Sequence, residues 1–266
     1  MARMPLETSR WACSPYPLEI AGQIASELDI SRSLAAILVR RGYDSVEAAE
    51  GFLSADERHD PGLLGGIEQA CALVLGHVER GSRIVVHGDY DVDGVCSTAI
   101  LVRALRELGA APAWHLPSRF DEGYGLAAAT VERLAADDTG LLITVDCGIT
   151  SAAEVEQARA AGIDVLVTDH HRPGGRLPPC AIVHPALGGY PFEELCAAAV
   201  ALKLSEALMG AAGRDPSDAE RDLDLAGLAT VCDMVPLRGE NRRLVRAGLR
   251  ALATTTRPGL RALMKV

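Results

Sequence analysis

Residues 83–101 read RIVVHGDYDVDGVCSTAIL. A short β-branched run ends in His87, and Asp89, Asp91 and Asp93 follow before a helical pattern begins near residue 94. Strand, acidic turn and helix in that order are the opening of a βαβ unit. The alternation continues outward. APAWHLP (111–117) precedes LAAATVERLAA (126–136), and LLITVD (141–146) precedes SAAEVEQARAAG (151–162). IDVLVTD (163–169) and AIVHP (181–185) supply two more strands, and helical spacing returns at about 193–209, 222–232 and 241–252. The pattern predicts an α/β fold, with a mostly parallel central sheet and helices on both faces.

Upstream, residues 17–53 show apolar residues at helical spacing, with Ser31 and Ser45 placed as N-caps. The loop SADERHDPGLLGG (54–66) leads through Gly65–Gly66 into a helix over 67–80. Two parts are therefore expected: a small helical N-terminal segment, 1–62, and an α/β domain, 63–266.

The composition narrows the class. With 266 residues and 48% hydrophobic content, a large core is available. No apolar run reaches the roughly 18 residues of a membrane span. The first twenty residues lack the apolar centre of a secretory signal, so a cytoplasmic protein is expected. The seven cysteines are scattered with no C-x-x-C pair, which argues against a disulfide framework or a structural zinc site. The net charge of −10 counts weakly against a nucleic-acid partner, because a basic groove and bound cations are invisible to it.

In an open parallel sheet, ligands sit beyond the carboxyl ends of the strands. The first strand ends in His87, Asp91 and Asp93, the third in Asp146, and the fourth in Asp169, His170 and His171. A single aspartate there is usually a helix cap, and a histidine pair is usually structural. Three such tips in succession are harder to explain without metal. Several carboxylates in one crevice must protonate or find cations. Mixed carboxylate and imidazole donors suit Mn²⁺ or Mg²⁺, with Zn²⁺ a further option. Two ions some 3.5–4 Å apart form the usual clamp for phosphoester hydrolysis.

These residues carry a family resemblance. HGDYDVDG (87–94), TVDCGI (144–149) and VTDHH (167–171) resemble the ordered motifs of the DHH phosphoesterase superfamily. LPSRFDEGYGL (116–126), YPFEELC (190–196), ATVCDMVPLRGENRRLV (229–245) and RPGLRAL (257–263) resemble its RecJ branch of single-strand-specific exonucleases. The resemblance implies metal-dependent 5′→3′ hydrolysis of single-stranded DNA in repair and recombination. It implies two ions, Mn²⁺ or Mg²⁺, and as partners a single strand or short oligonucleotides together with other repair proteins.

It also implies residue roles. His87 and Asp91 hold one metal; Asp93, His170 and Asp233 hold the second; Asp146 bridges both. His171 and Arg119 stand beside the substrate phosphate, with Asp146 as the third member of the catalytic set, and Asp89 and Asp169 support from behind the ligands. Arg119 and Tyr124, within a loop containing Gly123 and Gly125, resemble a substrate-holding segment. Asn241, Arg242 and Arg243 open a helix, where they bind the strand or merely brace the helix. Trp114 is a candidate stacking platform, with core packing the stronger reading. Asp121, Glu122 and Asp164 are read as solvated loop or turn residues.

Within this resemblance Ala197 and Ala199 replace glycines and His184 replaces an asparagine, which puts local packing in doubt. Family members carry a DHH-associated domain and an OB-type domain beyond the stretch seen here. Two other readings stay open. One is a different DHH chemistry: an oligoribonuclease, a cyclic-dinucleotide phosphodiesterase or a pyrophosphatase. The other is an inactive nucleic-acid-binding subunit.

Overall fold

The computed structural model describes residues 15–266, so Cys13 and most of the N-terminal stretch read for a signal lie outside the described residues. The chain divides into two compact units, 1–55 and 56–266, a division a few residues before the boundary read from the sequence.

In the described part of the first unit lie α1 (Leu18–Glu27), α2 (Arg32–Arg40) and α3 (Val46–Ser54). Ser31 and Ser45 cap α2 and α3 through their hydroxyls, which accept from the Leu34 and Ala48 amides. Ile24, Leu38, Ala35 and Ala49 form a core of this unit's own.

The second unit continues with α4 (Ile67–Glu79), β1 (Ile84–His87), α5 (Val92–Glu107), β2 (Ala113–His115), α6 (Ala128–Ala136) and β3 (Leu141–Val145). Then come α7 (Ala152–Ala160), β4 (Asp164–Thr168), β5 (Ala181–Val183), α8 (Ala197–Ala211), α9 (Leu223–Cys232), α10 (Gly239–Ala253) and α11 (Pro258–Leu263). The five strands form one parallel sheet in the order β2-β1-β3-β4-β5.

Side-chain alternation builds a core on each face. Ile84, Val86, Leu141, Ile143 and Leu166 pack with α4, α5, α8 and α9. Val85, Leu142, Val165 and Val167 pack with α6 and α7. Coverage on both faces is why these strands are apolar throughout rather than alternating. Helix α8 is buried on nearly every side, with Ala197 and Ala199 themselves buried at its start, so their methyl groups fit without displacing the helix. No described helix is long and apolar enough to cross a membrane.

From β1 the chain crosses to β2 on one side and returns to β3 on the other. The reversal leaves a crevice at the carboxyl ends of β1 and β3, the standard place for a ligand in such a sheet.

Candidate metal centre

Helix α5 starts abruptly because Asp91 caps it, its carboxylate accepting the Gly94 amide at 2.9 Å. The turn before it is tight: a Cβ on Gly94 would lie 2.5 Å from the Asp89 carbonyl oxygen, so only glycine fits. The turn brings three aspartates to the rim of the crevice. Asp93 points inward to the N-terminus of α8, where its two oxygens accept the Ala197 and Ala198 amides at 2.7 and 2.8 Å. Asp146 leaves β3 with a left-handed backbone (φ 61°), a conformation rare for a non-glycine residue and typical of functional sites.

Beyond β4, Asp169 is fully buried and accepts from the His170 amide (2.7 Å), the His171 amide (3.1 Å), His171 Nδ1 (2.8 Å) and the Ile149 amide (3.0 Å). Burial opposes its charge, yet the bonds from His171 and Ile149 outweigh it and hold the carboxyl below its usual value. With Nδ1 committed to Asp169, His171 Nε2 is left as the open ring nitrogen. His184 Nε2 donates to the His171 carbonyl at 2.8 Å, so the histidine that departs from the expected asparagine braces this same turn.

The donor atoms converge in overlapping groups. Asp89, Asp91 and Asp146 form one; Asp93, His170 and Asp233 another; Asp146, His170 and His171 a third, each with ligand atoms within 4.8 Å of one another. Asp146 joins them, its Oδ1 only 3.3 Å from His170 Nε2. Burial pushes the Asp146 carboxyl up to about 7, and raises Asp93 and Asp233 as well. At His170 burial disfavours the charged ring, but Asp146, Asp93 and Asp233 overcome this and lift it to about 9. Asp89 Oδ1, Asp146 Oδ1, His170 Nε2 and Asp233 Oδ2 are all buried without a hydrogen-bond partner. Unpaired buried polar atoms are costly, and four aimed at one crevice fit a centre completed by cations.

Two sequence expectations change. His87, expected to hold the first metal, joins none of these groups; its Nε2 donates to the Gly125 carbonyl at 3.3 Å. Burial lowers it to about 4, so the ring is neutral. Asp89, set aside as loop support, stands with Asp91 and Asp146 instead. The cause is local geometry: His87 is still in the strand and points into the protein, whereas Asp89 is already in the turn.

The remaining candidates separate as follows. Arg119 is exposed, stacks 4.4 Å above the Tyr90 ring and, among the described residues, forms no ion pair. The Tyr124 hydroxyl donates to the Asp146 carbonyl (3.2 Å) and lies 3.1 Å from His171 Nδ1. Asn241 is not available to a strand: it is fully buried and its amide donates to the Glu194 and Pro236 carbonyls, bracing α10. Arg242 is half-buried at the same helix start and, like Asn241, lies in no metal group. Arg243 lies 3.5 Å from Glu220. Trp114 is 57% exposed, with Arg106 over its ring, so the core reading fails for it. Asp233 has no signal in its own neighbourhood beyond closing an apolar helix; only the resemblance pointed to it.

Comparison with known proteins places this geometry. The family model described as "DHH family, N-terminal domain" matches residues 83–230. Single-stranded-DNA-specific exonuclease RecJ of Bacillus subtilis (strain 168) is 37% identical over 262 residues, covering 97% of this chain and 33% of the relative. The chain thus spans about a third of that relative's length. Among solved structures, RecJ from Thermus thermophilus in complex with Mn²⁺ is 35% identical at a TM-score of 0.80, over 94% of this chain and 36% of that one. A crystal structure of exonuclease RecJ bound to manganese is 42% identical at a TM-score of 0.72, over 76% and 52%.

Proposed function

Because the chain belongs to the DHH family, we propose that it is a metal-dependent phosphodiesterase that hydrolyses single-stranded DNA from the 5′ end, in DNA repair and recombination. One observation carries the reading: three overlapping groups of carboxylate and imidazole donors, linked through Asp146 and His170, with four buried ligand atoms that have no hydrogen-bond partner. Support for the substrate comes from the relatives, which are named single-stranded-DNA-specific exonucleases.

Mn²⁺ or Mg²⁺ would be held by Asp89, Asp91 and Asp146 on one side, and by Asp93, His170 and Asp233 on the other, with Asp146 Oδ1 3.3 Å from His170 Nε2 between them. Bound there, the ions supply the positive charge that acidifies water and draws electron density from a phosphoryl group. The protein's own groups do the rest. Asp169 fixes the ring of His171, and its hydrogen bond raises the His171 pKa and favours the protonated, donating form. The His171 ring and the Arg119 guanidinium would then meet charge developing on the phosphoryl oxygens. Tyr124 locks the tip of the loop to the Asp146 carbonyl. Cytoplasmic action beside other repair proteins belongs to the same proposal.

The test is Asp146→Ala, assayed by Mn²⁺-dependent release of nucleotides from 5′- and 3′-labelled single strands. Loss of Asp146 should cost about 10³-fold or more in rate, the scale of removing a principal electrostatic group. Undiminished activity would sink the assignment. The net charge of −10 favours one second reading, a small anionic substrate such as a dinucleotide. Faster turnover of dinucleotides than of 5′-phosphorylated oligonucleotides would select it.

A further inference from the structure

Glu122 is a loop carboxylate whose sequence context assigns it to solvent, yet it has three partners in the structure. Its Oε1 accepts the Ser118 amide at 3.0 Å. Its Oε2 accepts the Thr130 hydroxyl of α6 at 3.2 Å and lies 3.0 Å from His115 Nε2 on β2. The Ser118 amide is the largest influence, and with His115 and Thr130 it outweighs burial and holds the carboxyl at about 2, so Glu122 is ionised at any working pH.

Glu122 sits at the centre of the segment that faces the metal centre. Ser118 closes the turn, its carbonyl accepting the amides of Asp121, Glu122 and Gly123. The next residue, Arg119, stacks on Tyr90, between Asp89 and Asp91 in the chain. Tyr124 reaches Asp146 and His171. At the far end His87 Nε2 donates to the Gly125 carbonyl, and the His87 ring lies 5.3 Å from that of His115, its partner in the β1–β2 register. The segment is thus held in its middle by Glu122, which reaches Ser118 and His115, and at its far end by His87. Such holding is needed, because Gly123 and Gly125 both have left-handed backbones (φ 77° and 90°) and glycine leaves a loop many alternatives.

We propose that Glu122 is a positioning residue: with His115 and His87 it clips the 118–125 segment to the sheet edge, so that Arg119 and Tyr124 face the phosphate at the metal centre. The substrate in this statement rests on the phosphodiesterase reading; the clip does not. An arginine already oriented avoids the entropy of ordering a loop at each turnover.

The test uses the full chain with Glu122→Ala and Glu122→Gln, the latter keeping one acceptor oxygen. Amide hydrogen exchange in Glu122→Ala should be about 10-fold faster or more at residues 118 and 121–123 and unchanged in β1 and β3, since each lost hydrogen bond is worth on the order of a tenfold change in opening. Mn²⁺ stoichiometry by calorimetry should not change. Binding of a phosphorothioate single strand, followed by fluorescence anisotropy, should weaken about 10-fold in Glu122→Ala and less in Glu122→Gln. Adding Arg119→Ala to Glu122→Ala should weaken it by clearly less than the product of the two single losses, because Glu122 acts in part through Arg119 and in part through Tyr124. Unchanged exchange at 118–123 overturns the clip, and losses that multiply in the double variant overturn the positioning role. If the wild type binds no oligonucleotide, the phosphodiesterase reading falls, while the exchange result still decides the clip.

Discussion

At Asp146 and His170, burial and charge crowding leave a signature in the pH dependence of stability. Asp146 stands at about 7 against an ordinary 3.8, and His170 at about 9 against 6.5. In both cases the folded state holds its proton more tightly than the unfolded chain does. The stabilisation is therefore complete below the ordinary value and lost as pH rises through the folded one. Above about pH 6.5, where the opposite contribution of the neutral, buried His87 is already complete, metal-free protein should become less stable up to about pH 9. Mn²⁺ replaces those protons, so the rise in Tm on adding Mn²⁺ should be larger at pH 8.5 than at pH 6, measured against an EDTA-treated control. A pH-independent increment would show that the ion binds elsewhere. At this scale the sequence pointed to Asp91, Asp93, Asp146 and the histidine pair as candidates, and the structure brings them together, because the ends of apolar strands are visible as composition changes. It placed His87 among the candidate donors and Asp89 behind them, whereas in the structure Asp89, and not His87, lies within a donor group. Two residues' difference in position decides whether a side chain points inward or into the crevice, and backbone course is not written in composition.

Among the elements, α8 and α9 set the surroundings of two candidate ligands, Asp93 and Asp233. The first amides of α8 grip Asp93, and α9 ends in Asp233. A buried ion pair, Lys203 with Glu240 at 2.6 Å, ties α8 to α10, and the Tyr190 hydroxyl donates to the same carboxylate at 2.5 Å. Helix α9 packs on α10 backbone to backbone: a Cβ on Gly227 would lie 2.7 Å from Gly248 Cα. Gly227→Ala must push the helices apart and should cost about 1–3 kcal/mol, the usual scale for overpacking. Urea denaturation should report that loss. Because Asp233 rides on α9, Mn²⁺ affinity should fall with it, whereas Gly22→Ala, with open space around it in α1, should leave Mn²⁺ affinity unchanged and raise stability by about 0.5–1 kcal/mol. Helix existence and type were readable from apolar spacing except for the short α11, but nothing in α9 or α10 announced that a glycine pair sets their separation, since the two glycines are 21 positions apart.

For the whole molecule, every member of the candidate metal centre among the described residues lies in the second unit, and each unit has its own core. Residues 56–266 alone should therefore take up Mn²⁺ with the stoichiometry and affinity of the full chain, measured by calorimetry; a loss would mean that residues 1–55 complete the centre. The sequence by itself determined the strand–helix alternation, the parallel sheet covered on both faces and the acidic and imidazole clusters at its strand tips, because burial periodicity and turn chemistry are local properties. Only the tertiary structure decided the order β2-β1-β3-β4-β5, which sets Asp89, Asp91 and Asp93 opposite Asp146. It also brought Asp233 to His170 across 63 positions and turned Glu122 from a solvated loop charge into a clip. These depend on which surfaces pack together, and that is settled by the whole set of cores rather than by any one segment.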